Sequence, residues 1–202
     1  MVEQTLYIFA KAPVPGRVKT RLARSVGDGA ACAIYLELLA HVTDVLTNAP
    51  AWRTVLAVTP DESALSDHAW RCAAPRIPQG DGDLGARMHK ALSTARRGWP
   101  VVIVGSDIPD ITSGHVTQAF LALAHNDLVF GPAVDGGYWL VGASVPPPLD
   151  LFADVRWSSP FALADTLANA RGRTVEQLDI RLEDVDDVES YRRYRDRLGR
   201  QP

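Results

Sequence analysis

Cysteine is scarce in this chain: among 202 residues only Cys32 and Cys72 carry thiols, and no Cys-x-x-Cys pair occurs. That argues against both a cysteine zinc site and a small secreted fold stapled by disulfides. The histidines, His41, His68, His89, His115 and His125, are scattered without the spacing of metal ligands. Gly-x-Ser-x-Gly is absent as well, so there is no nucleophile elbow. No apolar run approaches the roughly 20 residues of a membrane span. Glu3 stands where a signal peptide carries positive charge, and the first apolar run is too short for a signal's hydrophobic region. A formal net charge of -3 gives no electrostatic case for nucleic acid or an anionic membrane as partner. No internal repeat or linker divides the chain. These absences lead to the expectation of a cytoplasmic protein forming one domain over residues 1–202. Its 47% hydrophobic content suffices for an α/β core.

What is present begins at the N-terminus. Leu6 to Ala10 is a short apolar run rich in strand formers and reads as a buried strand. Pro13, Pro15 and Gly16 then forbid both strand and helix, so a loop must follow. That loop and the start of the next helical segment carry four cations: Lys11, Arg17, Lys19 and Arg21. A cationic loop between a buried strand and a helix suits phosphate, because side chains add full charges and backbone N–H groups add donors. The plainer reading is a solvated surface loop.

Further on, strand and helix patterns alternate. Asp28 to Ala49 has apolar residues at helical spacing, and Thr54 to Val58 reads as a second buried strand. A short helix is expected over Glu62 to Trp70, and a third strand over Pro75 to Gln79. Asp83 to Arg97 reads as a helix with Asp83 as N-cap and Gly98 as stop. Val101 to Val104 is the most strand-like run, followed by a helix over Thr112 to Ala124. Strands are expected at Leu128 to Phe130 and Tyr138 to Val141. Ser159-Pro160 places a cap and a first-turn proline before a helix reaching Ala170. Thr174 to Leu178 and Val188 to Leu198 close the chain as strand and helix. Successive β-α units imply an α/β fold whose sheet is mostly parallel, with helices on both faces.

In such sheets ligands sit beyond the carboxyl ends of the strands. The first loop there supplies the cations. The loop Gln79-Gly80-Asp81-Gly82-Asp83-Leu84-Gly85 lets backbone approach a ligand. The loop after Val104 supplies Asp107 and Asp110, and the one before Tyr138 supplies Asp135-Gly136-Gly137. Cations from one loop and carboxylates from two others suggest a phosphate–metal–carboxylate assembly around Mg2+ or Mn2+. Each acid also has a plain role: Asp110 as a turn former, Asp83 as an N-cap, Asp81 as a loop solvator and Asp135 as a hairpin residue. Asp107, directly after a buried strand, is the hardest to explain so.

Four segments taken together resemble one family. They are Lys-Ala-Pro-Val-Pro-Gly-Arg-Val-Lys-Thr-Arg-Leu (11–22), Gln79 to Met88, Gly105 to Asp110, and Gly-Pro-Ala-Val-Asp-Gly-Gly-Tyr-Trp-Leu-Val-Gly (131–142). They look like the bacterial glycosyltransferase-like family of nucleotide-diphospho-sugar transferases, which includes radical-SAM-associated and arsenosugar-biosynthesis transferases. Trp157-Ser158-Ser159-Pro160 and Glu183-Asp184-Val185-Asp186-Asp187 resemble the family's closing segments, so the likeness spans nearly the whole chain. Ile108, Val134 and Ala86 depart from the family pattern. The resemblance implies a three-layer, Rossmann-like GT-A fold, similar also to guanylyltransferases of cofactor biosynthesis.

By that resemblance Lys11, Gly16, Arg17, Lys19 and Arg21 would hold nucleotide phosphates, with Gln79, Gly80 and Asp83 near the nucleotide or acceptor. Asp107 falls in the Asp-x-Pro that replaces the usual metal-binding Asp-x-Asp. Asp135 falls where a second carboxylate faces the sugar or the metal. The implied catalytic set is Lys19, Arg21 and Asp135, with Mg2+ or Mn2+ on Asp107 and Asp135. The expected activity is sugar transfer from a nucleotide sugar to a small-molecule acceptor. Stabilising the departing nucleoside diphosphate is the chief task. The alternative is a nucleotidylyltransferase, which takes a nucleoside triphosphate and a phosphorylated acceptor and releases pyrophosphate. A third reading is a nucleotide-binding module without catalysis. Trp70, Trp99 and the Arg-rich final helix are candidate contacts of a homodimer.

Overall fold

The computed structural model describes residues 3–48, 51–66, 70 and 72–199. Among them the strands are β1 (Thr5–Lys11), β2 (Arg53–Thr59), β3 (Arg76–Pro78), β4 (Val101–Gly105), β5 (Leu128–Pro132), β6 (Tyr138–Ala143) and β7 (Val175–Gln177). The helices are α1 (Thr20–Val26), α2 (Asp28–Thr47), α3 (Leu84–Leu92), α4 (Ser113–Ala122), α5 (Ala162–Asn169) and α6 (Val188–Leu198). All strands join one sheet in the order β3-β2-β1-β4-β6-β5-β7.

The sheet is mostly parallel, with β6 antiparallel to both of its neighbours, β4 and β5. Residues 133–137 are too few to carry the chain back for a parallel pairing, which needs a crossover of roughly a dozen residues or more. The reversal brings the β5–β6 turn to the same edge as the carboxyl ends of β1, β2, β3 and β4.

Alternation along the strands divides the core between the two faces. Leu6 and Ile8 of β1 lie in register with Val102 and Val104 of β4, and they pack with Tyr35, Leu39 and Val42 of α2 and Val116 of α4. Val101 and Ile103 of β4 join Leu128 and Phe130 of β5, Met88 and Leu92 of α3, and part of Leu163 and Leu167 of α5 on the other face. Fully buried leucines and isoleucines of this kind contribute roughly 1.5–3 kcal/mol each. Helix α2 is long and apolar enough to cross a membrane by length and composition. Its buried residues Ala31, Cys32, Tyr35, Leu38, Leu39, Val42 and Leu46 recur at helical spacing and form its core-facing stripe.

Several boundaries differ from the sequence expectation. Helix α3 ends at Leu92, not near Arg97, because Ser93 and Thr94 turn their hydroxyls onto the His89 and Ala91 carbonyls, each at 2.7 Å. Helix α5 starts at Ala162 without a side-chain cap. Ser159 instead accepts from the Phe161 N–H at 3.2 Å in the preceding turn. In place of a helix from Glu62 there is one 3-10 turn, Asp61–Ala64, and residues 67–69 of that expectation, His68 included, lie outside the described residues. Trp70 is buried in the core, so it forms no exposed contact surface. Trp99 is partly exposed, with the Arg96 guanidinium 4.6 Å above its ring.

Candidate active site

Lys19 is the hub of the strand-end edge. It stands just before α1 in the left-handed region (φ 48°), a conformation that non-glycine residues seldom adopt and that here turns its side chain inward. The ammonium is buried and hydrogen-bonds the Asp107 carboxylate, with Asp186 at 3.5 Å. Burial by itself would lower its pKa, but Asp107, and behind it Asp186 and Asp184, outweigh burial and hold it above the ordinary lysine value. Arg21, two residues on, donates to the other oxygen of Asp186 at 3.0 Å. Both Lys19 and Arg21 are therefore already matched to carboxylates.

The carboxylates arrive from three places. Asp107 follows β4 directly. Asp135 sits in the β5–β6 turn, where its Oδ1 accepts from the Gly137 N–H at 2.9 Å, so it is both the hairpin residue and a cavity residue. Gly136 makes this turn possible: its φ is +88°, and a Cβ there would come within 2.3 Å of the Pro160 carbonyl oxygen. Asp184 and Asp186 come from the extended segment before α6. That segment is fixed by a bridge from Ala133 to Leu182 and by the Val185 N–H donating to the Asp107 carbonyl at 3.0 Å. With Val185 buried between them, Asp184 and Asp186 face the site from alternate positions. Burial, then the charges of Asp107, Asp186 and Asp135, push the Asp184 carboxyl up to about 6, with Lys19 opposing.

Two cavities meet at this cluster and share Phe9, Leu84, Gly105, Asp107 and Asp186 in their walls. One, of about 280 Å³, is lined by Asp107, Asp135, Asp184, Asp186 and Arg21, with Met88, Tyr138 and Trp157 as its apolar side. Trp157 is held edge-on to Tyr138 and packs against Gly85, where a Cβ would lie 3.3 Å from its ring. The other cavity, of about 350 Å³, is lined by Lys11, Lys19, Arg87, Gln79, Thr59, Ser106 and Tyr35. Tyr35 closes its floor by donating to the Lys11 carbonyl at 3.0 Å and accepting from the Lys11 N–H at 2.9 Å. Burial pushes this phenol up to about 12, so it stays protonated.

The structure thus brings together Lys11, Lys19, Arg21, Gln79, Asp107 and Asp135 from the sequence reading. It does not place Gly16, Arg17, Gly80 or Asp83 in either cavity wall. Asp83 is the N-cap of α3, accepting from the Ala86 N–H at 2.8 Å, and the Gly80 N–H donates to Asp61 at 3.0 Å. Asp110 pairs with Arg197 of α6 at 2.8 Å. Sequence reasoning gave no role to Asp184, Asp186, Arg87 or Trp157. The signal for the two acids was the Asp-Val-Asp alternation, which in an extended segment puts both on one side of a buried valine. Among the described residues no three His, Cys, Asp or Glu side chains converge as a metal site. A cation held here would rest on few carboxylates and take its other ligands from substrate and water, as Mg2+ commonly does.

Comparison with known proteins agrees with this architecture. The chain is similar to a "putative nucleotide-diphospho-sugar transferase" from Desulfovibrio desulfuricans G20, with 33% identity over 93% of this chain and 84% of that one and a TM-score of 0.80. It shares its fold with CMP:2-keto-3-deoxy-manno-octonic acid synthetase in complex with CTP, with 11% identity, 98% of each chain covered and a TM-score of 0.59. It shares it also with the manganese complex of Rv0371c from Mycobacterium tuberculosis H37Rv, with 15% identity, 95% and 97% covered and a TM-score of 0.53. No curated protein matches the sequence. The expected mostly parallel α/β fold of nucleotide-diphospho-sugar transferases is therefore present. A family model spanning residues 42–159 matches as well, and the chain belongs to that family, described as "Uncharacterized protein conserved in bacteria (DUF2064)".

Proposed function

We propose that this protein is a divalent-cation-assisted transferase that moves a sugar from a nucleotide-diphospho-sugar donor to a small hydroxyl-bearing acceptor. The observation that carries this reading is the division of the strand-end site. A cationic cavity, suited to the anionic nucleotide, joins an acidic cavity with an aromatic wall at Asp107. The similarity to the D. desulfuricans protein supports it.

The residues fit a hard cation: Asp107 and Asp186 supply carboxylate oxygens, and the Lys19 ammonium held against both is consistent with a point that favours positive charge. Asp135 lines the same cavity as a further candidate ligand. A bound Mg2+ or Mn2+ would neutralise charge on the departing diphosphate, a term worth several kcal/mol. The manganese in the Rv0371c structure is consistent with that chemistry. Lys19 and Arg21 keep the carboxylates fixed and offset their charge. Trp157 and Tyr138 offer ring surface on which a sugar face can pack. Asp135, exposed and in the cavity wall, would accept the proton of an acceptor hydroxyl.

Nucleotidyl transfer is the second reading, favoured by the fold shared with a CTP-bound synthetase. Against it stands the acidic cavity, whose four aspartates disfavour a phosphorylated acceptor. The products separate the two. With Mg2+ or Mn2+ and a panel of nucleotide sugars, release of a nucleoside diphosphate that Asp107→Asn abolishes supports sugar transfer. Pyrophosphate release from a triphosphate moves the assignment to nucleotidyl transfer. An absence of both products and of any nucleotide binding refutes the reading.

A further inference from the structure

The sequence pattern places the phosphates on the whole cationic loop, yet the cations of that loop are not equally free. Lys19 is buried against Asp107 and Asp186, and Arg21 is tied to Asp186. Arg17 is exposed and lies outside both cavity walls. Two cations line the cationic cavity with no carboxylate partner among the described residues: Lys11, at the carboxyl end of β1, and Arg87, on the first turn of α3.

Arg87 is also the better ordered of the two. Its Nε donates to the Gly82 and Asp83 carbonyls, both at 3.1 Å, and its Nη1 donates to Gln79 Oε1 at 3.1 Å. Gln79 is itself buried and saturated. Its amide nitrogen donates to the Ala57 carbonyl at 2.9 Å and the Ala10 carbonyl at 3.2 Å, joining the ends of β2 and β1. These neutral contacts fix the guanidinium without cancelling its charge, and they leave Nη2 without a protein acceptor among the described residues. A guanidinium fixed through Nε and Nη1 with Nη2 unengaged can present that nitrogen to an oxyanion.

From this geometry we infer that Arg87 and Lys11 are the residues that contact the diphosphate of the nucleotide, and that Gln79 is a positioning residue acting through Arg87 rather than a nucleotide contact. The inference rests on the nucleotide reading of the cationic cavity and changes which residues serve it. Lys19 and Arg21 then balance the carboxylate cluster and do not supply the net attraction for the phosphates. Asp83 and Gly82 matter through their carbonyls, although residues 80–83 of the glycine-rich loop do not line the cavity.

Calorimetric titration of the full chain with nucleoside diphosphates of each base, in low salt and without metal, tests this. Arg87→Ala and Lys11→Ala are expected to weaken the tightest diphosphate by about tenfold or more each, the usual effect of losing a charge-assisted hydrogen bond. Each is expected to flatten the salt dependence of binding, while Arg17→Ala leaves affinity within about twofold. For Gln79 the test is a cycle. Gln79→Leu weakens binding in the parent but adds little once Arg87 is alanine, whereas a merely structural glutamine would cost the same in both backgrounds. Unchanged affinity in Arg87→Ala, with the parent binding normally, overturns the inference and leaves the proposed function standing. A parent that binds no diphosphate either without metal or with added Mg2+ or Mn2+ overturns both.

Discussion

Replacing Asp184 by asparagine should stabilise the protein above neutral pH, at the expense of its activity. In the folded chain burial and the neighbouring aspartates hold this carboxyl at about 6, against an ordinary value of 3.8. The folded state therefore binds that proton more tightly than the unfolded chain does. Its stabilising contribution is complete below the unfolded value and is lost as pH rises through about 6. A shift of about two units corresponds to about 3 kcal/mol, an upper value for a group that is not wholly buried. Asparagine keeps the shape and removes the charge. Urea unfolding at pH 8 is expected to show the variant about 1–3 kcal/mol more stable than the parent, with an unchanged slope against denaturant. The advantage should shrink to about half by pH 5, where the parent carboxyl is largely protonated. Activity should fall, since the destabilising charge belongs to the site. An advantage that does not vary between pH 5 and pH 8, or a variant less stable at pH 8, would refute the picture of a crowded and partly buried carboxylate.

Lys19→Met removes the cation shared by Asp107 and Asp186 and leaves Asp186 with Arg21 alone; because both carboxylates are partly solvated, the cost in a denaturant titration should be on the order of 1–3 kcal/mol, below that of a fully buried pair. Millimolar Mg2+ should restore more stability in that variant than in the parent if the carboxylates accept a divalent ion, and equal restoration would argue against it. Gly136→Ala combines a left-handed backbone with a collision against Pro160 and should lower stability by roughly 3 kcal/mol, read as a loss of melting temperature; a neutral result would mean that the β5–β6 turn does not pack as described. Trp157→Ala removes the aromatic wall of the acidic cavity and should raise KM for the donor more than it lowers kcat; the reverse split in steady-state kinetics would place the ring closer to the chemistry.

Periodicity and breakers alone made much of this fold legible. The apolar runs of β1, β2 and β4 and the stripe of α2 were readable because a buried element must be apolar on the side it buries, whatever its neighbours. The ends of α3 and α5 were less legible, since they depend on which carbonyl a serine or threonine hydroxyl reaches. Asp107 and Lys19 could be singled out because each sits at the end of a strand pattern or in a loop of unusual charge. Asp186 was harder: the Asp-Val-Asp alternation puts it on one side of Val185 only if the segment is extended, and the charged run before a helix does not itself say so. Arg87 shows the same limit: its spacing from Gln79 is visible in the sequence, but the hydrogen bond between them exists only once β3 and α3 are placed.

What the sequence determined by itself was the succession of strands and helices, the α/β class, and the loops in which chemistry could lie, since those follow from local sterics and from which side chains avoid water. Tertiary structure decided how charge is distributed among those loops. The reversal of β6 carries Asp135 to the edge held by Asp107, and the bridge at Leu182 brings Asp184 and Asp186 across from the far end of the chain. That folding commits Lys19 and Arg21 to carboxylates and leaves Lys11 and Arg87 without a carboxylate partner among the described residues. Electrostatic energy depends on distance in space and on burial, and neither quantity is written in the spacing of residues along a chain.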